Sequence, residues 1–245
     1  MNLKDAAANL NQAHPEDTLH PLFTPWGEMI MRSGSYDDIL SEYPRPQMRR
    51  TDYHPQNGLW EYAFVPADGS SSSEDPAYFT SQGSIRVPFS PEAPLSGAGF
   101  QLKPREKMLC ERLLSVKRLP SDGSRCILHF GAVDQYAKVL VNGKVVVSHI
   151  GGYLPFSADI TDALQVGCNT LTVHIEDRSD TSYHSVGKQK LKRGGMFYTA
   201  QSGIWQTVWM EWVPAVYVKK LELTPLYEKE TVHVSLLLNH PISGC

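Results

Sequence analysis

The sequence predicts an all-β fold, a jelly-roll sandwich, on three observations. Strand-like runs recur at intervals of roughly 8–12 residues, with turn signals between them. Helical periodicity of useful length is nearly absent. Large loops separate the runs, and large loops with paired sheets favour the jelly-roll form.

Residues 1–43 read as an irregular lead-in strapped over the main domain, because Pro15, Pro21 and Pro25 break any long helix. Residues 37–42 allow a short helical turn. The main domain is placed at 44–215 and opens on Tyr43-Pro44-Arg45-Pro46, a rigid extended entry. Residues 59–65 mix aromatics with a β-branched residue, as strands prefer. The stretch 68–75 contains four consecutive serines, lacks an apolar anchor and reads as a surface loop. A short strand at 85–87 is stopped by Pro88. Residues 88–104, with Gly97 and Gly99, form a long loop of the kind that often carries function.

Residues 108–119 and 126–130 are the next predicted strands. The clearest local signal follows, because 136–141 and 144–149 flank Asn142-Gly143, the preferred pair for a two-residue type I′ hairpin. Residues 169–177 alternate, with Leu171, Val173 and Ile175 on one side and Thr172, His174 and Glu176 on the other. That pattern predicts a sheet with one buried and one wet face. A strand at 204–213 carries Trp205, Trp209 and Trp212. Beyond Pro214, two more strands at 219–225 and 231–239 are predicted, with Val232, Val234, Leu236 and Leu238 pointing inward. They read as the start of a second, unfinished all-β domain, 216–245.

The totals exclude several classes. A chain of 245 residues holds one large β domain, or one plus the start of another. Its 41% hydrophobic and 20% charged residues describe a folded globular protein. A net charge of -3 gives no reason to expect nucleic acid or an anionic membrane as partner. No secretory signal and no membrane-spanning run is visible. The four cysteines show no zinc spacing, and three of them (Cys110, Cys126 and Cys168) read as buried thiols. A cytoplasmic location is the expectation.

No dinucleotide fingerprint, P-loop, nucleophile elbow or histidine ligand pair is present. Asp180, Ser182 and His184 do not make a triad, because triad members converge from distant segments. Carbohydrate handling is better supported. Sugars present apolar C–H faces that pack on aromatic rings, and hydroxyls that need planar donors and acceptors. The loop 177–201 supplies Asp177, Arg178, Asp180, Lys188, Gln189, Tyr198 and Gln201. Asp180, Lys188, Gln189, Tyr198 and Gln201 are the candidate substrate-lining residues. Lys188, Lys190, Lys192 and Arg193 suit a phosphate or an acidic sugar, although local composition alone is satisfied by a solvated loop.

At Tyr43-Pro44-Arg45-Pro46, Asn57-Gly58-Leu59-Trp60 and Val87-Pro88-Phe89-Ser90-Pro91-Glu92 the chain resembles the N-terminal sugar-binding domain of glycoside hydrolase family 2. Val141-Asn142-Gly143, Gly151-Gly152-Tyr153-Leu154-Pro155-Phe156, Asp159-Ile160-Thr161, Gly167-Cys168-Asn169 and Ser202-Gly203-Ile204-Trp205-Gln206 extend the likeness over about residues 20–225. The family holds β-galactosidases, β-glucuronidases and β-mannosidases. Its fold is galactose-binding-domain-like. The resemblance implies that the intact enzyme adds an immunoglobulin-like sandwich, begun at 216–245, and a (β/α)8 barrel. On that barrel, two glutamates roughly 5–5.5 Å apart would perform retaining hydrolysis.

The resemblance therefore implies a β-glycoside as carbohydrate partner, a missing barrel as protein partner, and no catalytic residue in this chain. It implies no cofactor here, Mg²⁺ or Na⁺ in the intact enzyme, and leaves a homo-oligomer open. A free-standing carbohydrate-binding module and a purely structural domain are the rival expectations.

Overall fold

The computed structural model describes residues 22–33, 39–67 and 79–241; the predicted serine-rich loop, Cys245 and most of the lead-in lie outside them. Among the described residues the expected all-β sandwich is present, built from two antiparallel sheets. One has four strands, β1 (Tyr53–Pro55), β14 (Val208–Val213), β5 (Arg125–Phe130) and β9 (Phe156–Asp159), in that spatial order. The other has six, in the order β3 (Gly83–Val87), β2 (Gly58–Pro66), β4 (Glu106–Val116), β10 (Gly167–Glu176), β7 (Tyr136–Val141) and β8 (Lys144–Ile150).

The core lies between the sheets and follows the period of two. On β10, Leu171, Val173 and Ile175 point inward, level with Val141, Val139 and Ala137 of β7. Met108, Cys110, Leu114 and Val116 of β4 continue the layer on the other side. Leu128 and Phe130 of β5 and Val208 and Met210 of β14 meet them from the second sheet. Each fully buried side chain of this size contributes roughly 2 kcal/mol. The β7–β8 hairpin turns on Asn142 (φ 50°) and Gly143 (φ 77°), the left-handed pair that a type I′ turn requires.

Four expectations need correction. Residues 25–33 form a helix, α1 (Pro25–Ser33). Pro25 stands at its first position, where the missing N–H has no intrahelical partner to lose. Thr24 caps the helix, its Oγ1 accepting the Gly27 N–H at 3.1 Å. The second face of β10 is not wet along its middle. Thr172 and His174 are buried because β10 is central, with Leu109 of β4 and Ala63 of β2 in the same cross-strand row as His174. The strand expected at 204–213 is broken at Trp205, leaving β13 (Gly203–Ile204) and β14. Finally, Cys168 is exposed, whereas Cys110 and Cys126 are buried, their thiols pushed up to about 12 by desolvation.

β15 (Val218–Leu226) and β16 (Thr231–Leu238) pair as a two-stranded ribbon. The apolar residues expected to face inward do share one face, Leu221 beside Leu236 and Leu223 beside Val234. That face is open: Val232, Val234 and Leu236 are 55%, 53% and 55% exposed, since no second layer covers them among the described residues.

The segment 43–50 straps the outer face of the four-stranded sheet through one carboxylate. Glu211 of β14 is fully buried. Its Oε1 accepts from the Tyr43 hydroxyl, from Arg45 at 2.7 Å and from Trp209 Nε1 at 3.0 Å, while Oε2 accepts from Arg50 Nε at 2.7 Å. Arg50 also donates to the Val218 carbonyl at 2.7 Å, joining the ribbon to the same hub. His129 lies 3.3 Å from Oε2 and stacks on Trp209. Burial pushes its ring pKa down, so His129 is neutral at neutral pH and the two arginines supply the positive charge.

Burial would raise the Glu211 carboxyl, but hydrogen bonds from His129, Tyr43 and Arg45 outweigh it and hold the group well below 4.5. Its contribution is therefore complete above that pH and is lost as pH falls. Glu211→Gln strands two partly buried arginines and is expected to cost about 3 kcal/mol in urea unfolding at pH 7. The gap to the parent should narrow steadily below pH 4.5. A loss near zero at pH 7 would show that the strap is held some other way.

Candidate functional site

Strands β10 and β14 meet the remaining short elements at one end of the sandwich. These are β6 (Val133–Asp134), β11 (Gln189–Lys190), β12 (Tyr198–Thr199) and β13. β13 pairs with β6, placing Gly203 beside Asp134, and β11 pairs in parallel with β12, placing Gln189 beside Tyr198.

All five sequence-predicted residues fall on this one wall of loops. Asp180 sits exposed in a 3₁₀ turn, Ser179–Thr181, and its Oδ1 accepts the Leu191 N–H at 3.3 Å. The Lys188 carbonyl accepts the Tyr198 N–H at 2.8 Å, while both side chains remain exposed. Tyr198 is 68% exposed, so it is a surface ring and not a core aromatic. Gln189 Oε1 accepts the Gln201 N–H at 2.6 Å, which commits that oxygen to holding the loop. Gln201 Oε1 takes the Ser90 hydroxyl, and its Nε2 reaches the Thr199 carbonyl at 3.4 Å. Lys190 lies 4.2 Å from the Phe197 ring centroid, so part of the basic cluster rests on an aromatic face.

The residues that build the wall from beneath were not singled out from the sequence as site residues. Glu92 is buried near the start of the long loop. Its carboxylate accepts the Leu102 N–H at 3.0 Å, the Ser202 N–H at 3.0 Å and the Ser202 hydroxyl at 2.7 Å. Burial outweighs these bonds and pushes its pKa up to about 7. Asp134 is likewise pushed up to about 7, by desolvation first and then by the nearby Asp177 carboxylate. Asp177, itself raised by burial, accepts the Ser179 N–H at 2.6 Å and so bonds the backbone leading into the 3₁₀ turn.

Gly152 has no room for a side chain, since a Cβ would lie 2.2 Å from Asp134 Oδ1. The Gly152 carbonyl accepts Trp205 Nε1 at 2.7 Å, and Tyr153 packs edge-on against the Trp205 ring. This explains the broken strand: Trp205 leaves the sheet to pin the Gly151-Gly152 crossover. The motifs carrying these residues were visible in the sequence, but their partners lie 53 and 110 residues away.

His184 Nε2 lies 2.5 Å from the Tyr136 hydroxyl and Tyr183 stacks on the His184 ring, so Asp180, Ser182 and His184 form no triad. Among the described residues no group of three or more His, Cys, Asp or Glu is arranged to hold a metal ion. A cleft of about 650 Å³ lies at the opposite end of the sandwich, between Asp52, Lys117 and Trp212, and none of the loop-wall residues lines it. The loop wall offers exposed rings, carboxamides, one acidic and several basic side chains. These are groups for binding and orienting a polar ligand.

Residues 107–214 match the family described as glycosyl hydrolases family 2, sugar binding domain. The chain is 31% identical over 157 residues to the β-glucuronidase of Homo sapiens, covering 57% of this chain and 23% of that protein. It is 31% identical over 99 residues to a β-galactosidase of Thermoanaerobacter pseudethanolicus, covering 40% of this chain and 12% of that one. The solved β-glucuronidase of an uncultured Clostridium sp. superposes with a TM-score of 0.61 at 21% identity, over 81% of this chain and 35% of its own. That of Ruminococcus gnavus gives 0.60 at 20% identity, over 84% and 35%. The chain thus spans about a third of the length of these structures and less of the curated relatives.

Of the three raised carboxyls at this end, Glu92 and Asp134, both pushed up to about 7, lead its pH response. Their folded pKa values exceed the ordinary 4.5 of Glu92 and 3.8 of Asp134, so the folded state holds protons that the unfolded chain releases. The stability they contribute is complete below about pH 4 and is lost as pH rises through about 7. Asp134→Asn is expected to make the chain more stable than its parent at pH 8 and to flatten the fall between pH 5.5 and 8. Parallel stability–pH curves in urea would contradict this.

Proposed function

Taking residues 107–214 as a sugar-binding domain of glycosyl hydrolases family 2, we propose that the chain is the saccharide-binding part of a family 2 β-glycosidase. In this reading its loop wall forms one side of the sugar pocket. The observation that carries it is the convergence of Asp180, Lys188, Tyr198 and Gln201 on one exposed wall, built within the very stretch that matches the family.

Each group has a use against a pyranoside. The Tyr198 ring offers an apolar face for sugar C–H groups. Asp180 accepts from hydroxyls and the Gln201 amide donates to them. The basic residues Lys188, Lys190, Lys192 and Arg193 favour a sugar bearing a carboxylate, and β-glucuronidases among the relatives agree with that charge. We assign the ligand class as a β-glycoside, with a β-glucuronide preferred.

No bond-breaking role is assigned to any residue of this wall. Among the described residues the elements build no (β/α)8 barrel, which is where the family resemblance places the two glutamates. Hydrolysis is therefore a property of the longer protein in this reading.

The 245-residue chain is expected to bind methyl β-glucuronide weakly, with a Kd of about 1 mM, a free energy near −4 kcal/mol. It should release no nitrophenol from p-nitrophenyl β-glucuronide. Amide resonance shifts on titration should cluster at 177–206, and Tyr198→Ala should weaken binding about tenfold. Absence of binding across a panel of β-glycosides, or shifts centred on the cleft at the other end, would overturn the assignment.

A further inference from the structure

We propose that Glu92 is a positioning residue of the saccharide-facing wall, fixing Gln201 by clamping the segment that carries it. The inference rests on reading that wall as a sugar surface, and it identifies what sets the surface's shape.

Three consecutive residues of the long loop meet three consecutive residues of the wall. The Ser90 hydroxyl donates to Gln201 Oε1, the Glu92 carboxylate holds Ser202, and Pro91 packs on Gly203. Gly203 has φ +80°, and a Cβ there would stand 3.0 Å from Pro91 Cδ, so the approach is close enough to need glycine. No backbone ladder joins the two segments, because Gly203 pairs with Asp134 instead. Side-chain bonds do the work that a ladder would do.

Glu92 is the centre of that junction. Three donors converge on it, one from Leu102 at the far end of its own loop and two from Ser202. The loop is closed on itself by Gly99 and Phe100 N–H groups on the Pro91 carbonyl, at 3.0 and 3.1 Å. Glu92 therefore joins a rigid loop to the wall, not a mobile one. Three donors on two oxygens suit a carboxylate, which only accepts; a carboxamide would turn an NH₂ toward the Leu102 or the Ser202 N–H. The bonding around Gln201 has a direction as well. Ser90 occupies its oxygen, which leaves the Nε2 side, bonded only weakly to Thr199, to face a ligand hydroxyl. Loosening Glu92 releases Ser202, and with it the backbone that aims Gln201.

The test uses Glu92→Gln, Ser202→Ala, Gln201→Ala and the double variant Glu92→Gln/Gln201→Ala in the 245-residue chain. Without sugar, Glu92→Gln should speed amide exchange at Leu102 and Ser202 about tenfold, the equivalent of one charge-assisted hydrogen bond, and move the Gln201 carboxamide resonances. Ser202→Ala, a milder change that keeps the charge, should move the same resonances less. With methyl β-glucuronide, Glu92→Gln and Gln201→Ala should each weaken binding about tenfold, and the double variant should be no weaker than the poorer single. Additive losses, or Gln201 resonances that stay in place while exchange quickens at Leu102 and Ser202, would reduce Glu92 to a local structural bond and overturn the proposal. A parent chain that binds no β-glycoside defeats the sugar reading instead, and the exchange and Gln201 shifts then decide the clamp separately.

Discussion

A carboxylate removed from water must find donors, and in this fold the donors come from distant parts of the chain. Glu211 draws Tyr43, Arg45 and Arg50 across more than 160 residues, and through Arg50 it reaches the ribbon. Glu92 draws Ser202 across 110. Packing of the two sheets would tolerate several placements of the loops and of the N-terminal strap. Burying these two carboxyls tolerates few, because a half-satisfied buried polar group is worse than none. The apolar core gives the sandwich its stability, and the buried carboxylates decide where its irregular segments lie.

The two hubs stand in different protonation regimes for a reason visible in their partners. Glu211 accepts from His129, Tyr43 and Arg45, with Arg50 as a second guanidinium beside it, so burial is outweighed and the charge is kept. Glu92 has only neutral donors, and Asp134 has a second carboxylate nearby, so burial prevails and both are raised toward neutrality. One end of the molecule is thus indifferent to pH near 7 while the loop wall is sensitive to it.

The period-two pattern of β10, the Asn142-Gly143 hairpin and the long loop after Pro88 were legible because each is a local property of neighbouring residues. Strand order was not, since β1 pairs with β14 across most of the chain. The burial of His174 escaped for the same reason: alternation shows which residues share a face, but a central position in a sheet decides whether that face meets water. Pro25 was read as a breaker because its role turns on Thr24 acting as a cap. The exposed candidates on 177–201 were chosen by composition. The supporting parts of Glu92, Asp134 and Trp205 in the loop wall were not foreseen, because each acts through a partner that sequence distance conceals. Motifs had marked Glu92 and Trp205, but not Asp134, without revealing what they bind.

In the proposed reading the wall is half of a site. Its rings and charges stand exposed along the loop end, while a cleft of about 650 Å³ lies at the other end of the sandwich. A surface that bound sugar tightly by itself would enclose the ligand, since pockets that bury most of a small molecule gain affinity by excluding water. An open wall held rigid from beneath serves a different purpose. Its ordering cost is met within the fold, through Glu92, Gln189 and Trp205, before any ligand or partner arrives. Such a surface adds little affinity alone, but beside a second surface it contributes directed bonds without further loss of entropy. Rigid anchoring and open geometry together are what a domain needs if it is to complete a pocket whose other side is built from different elements.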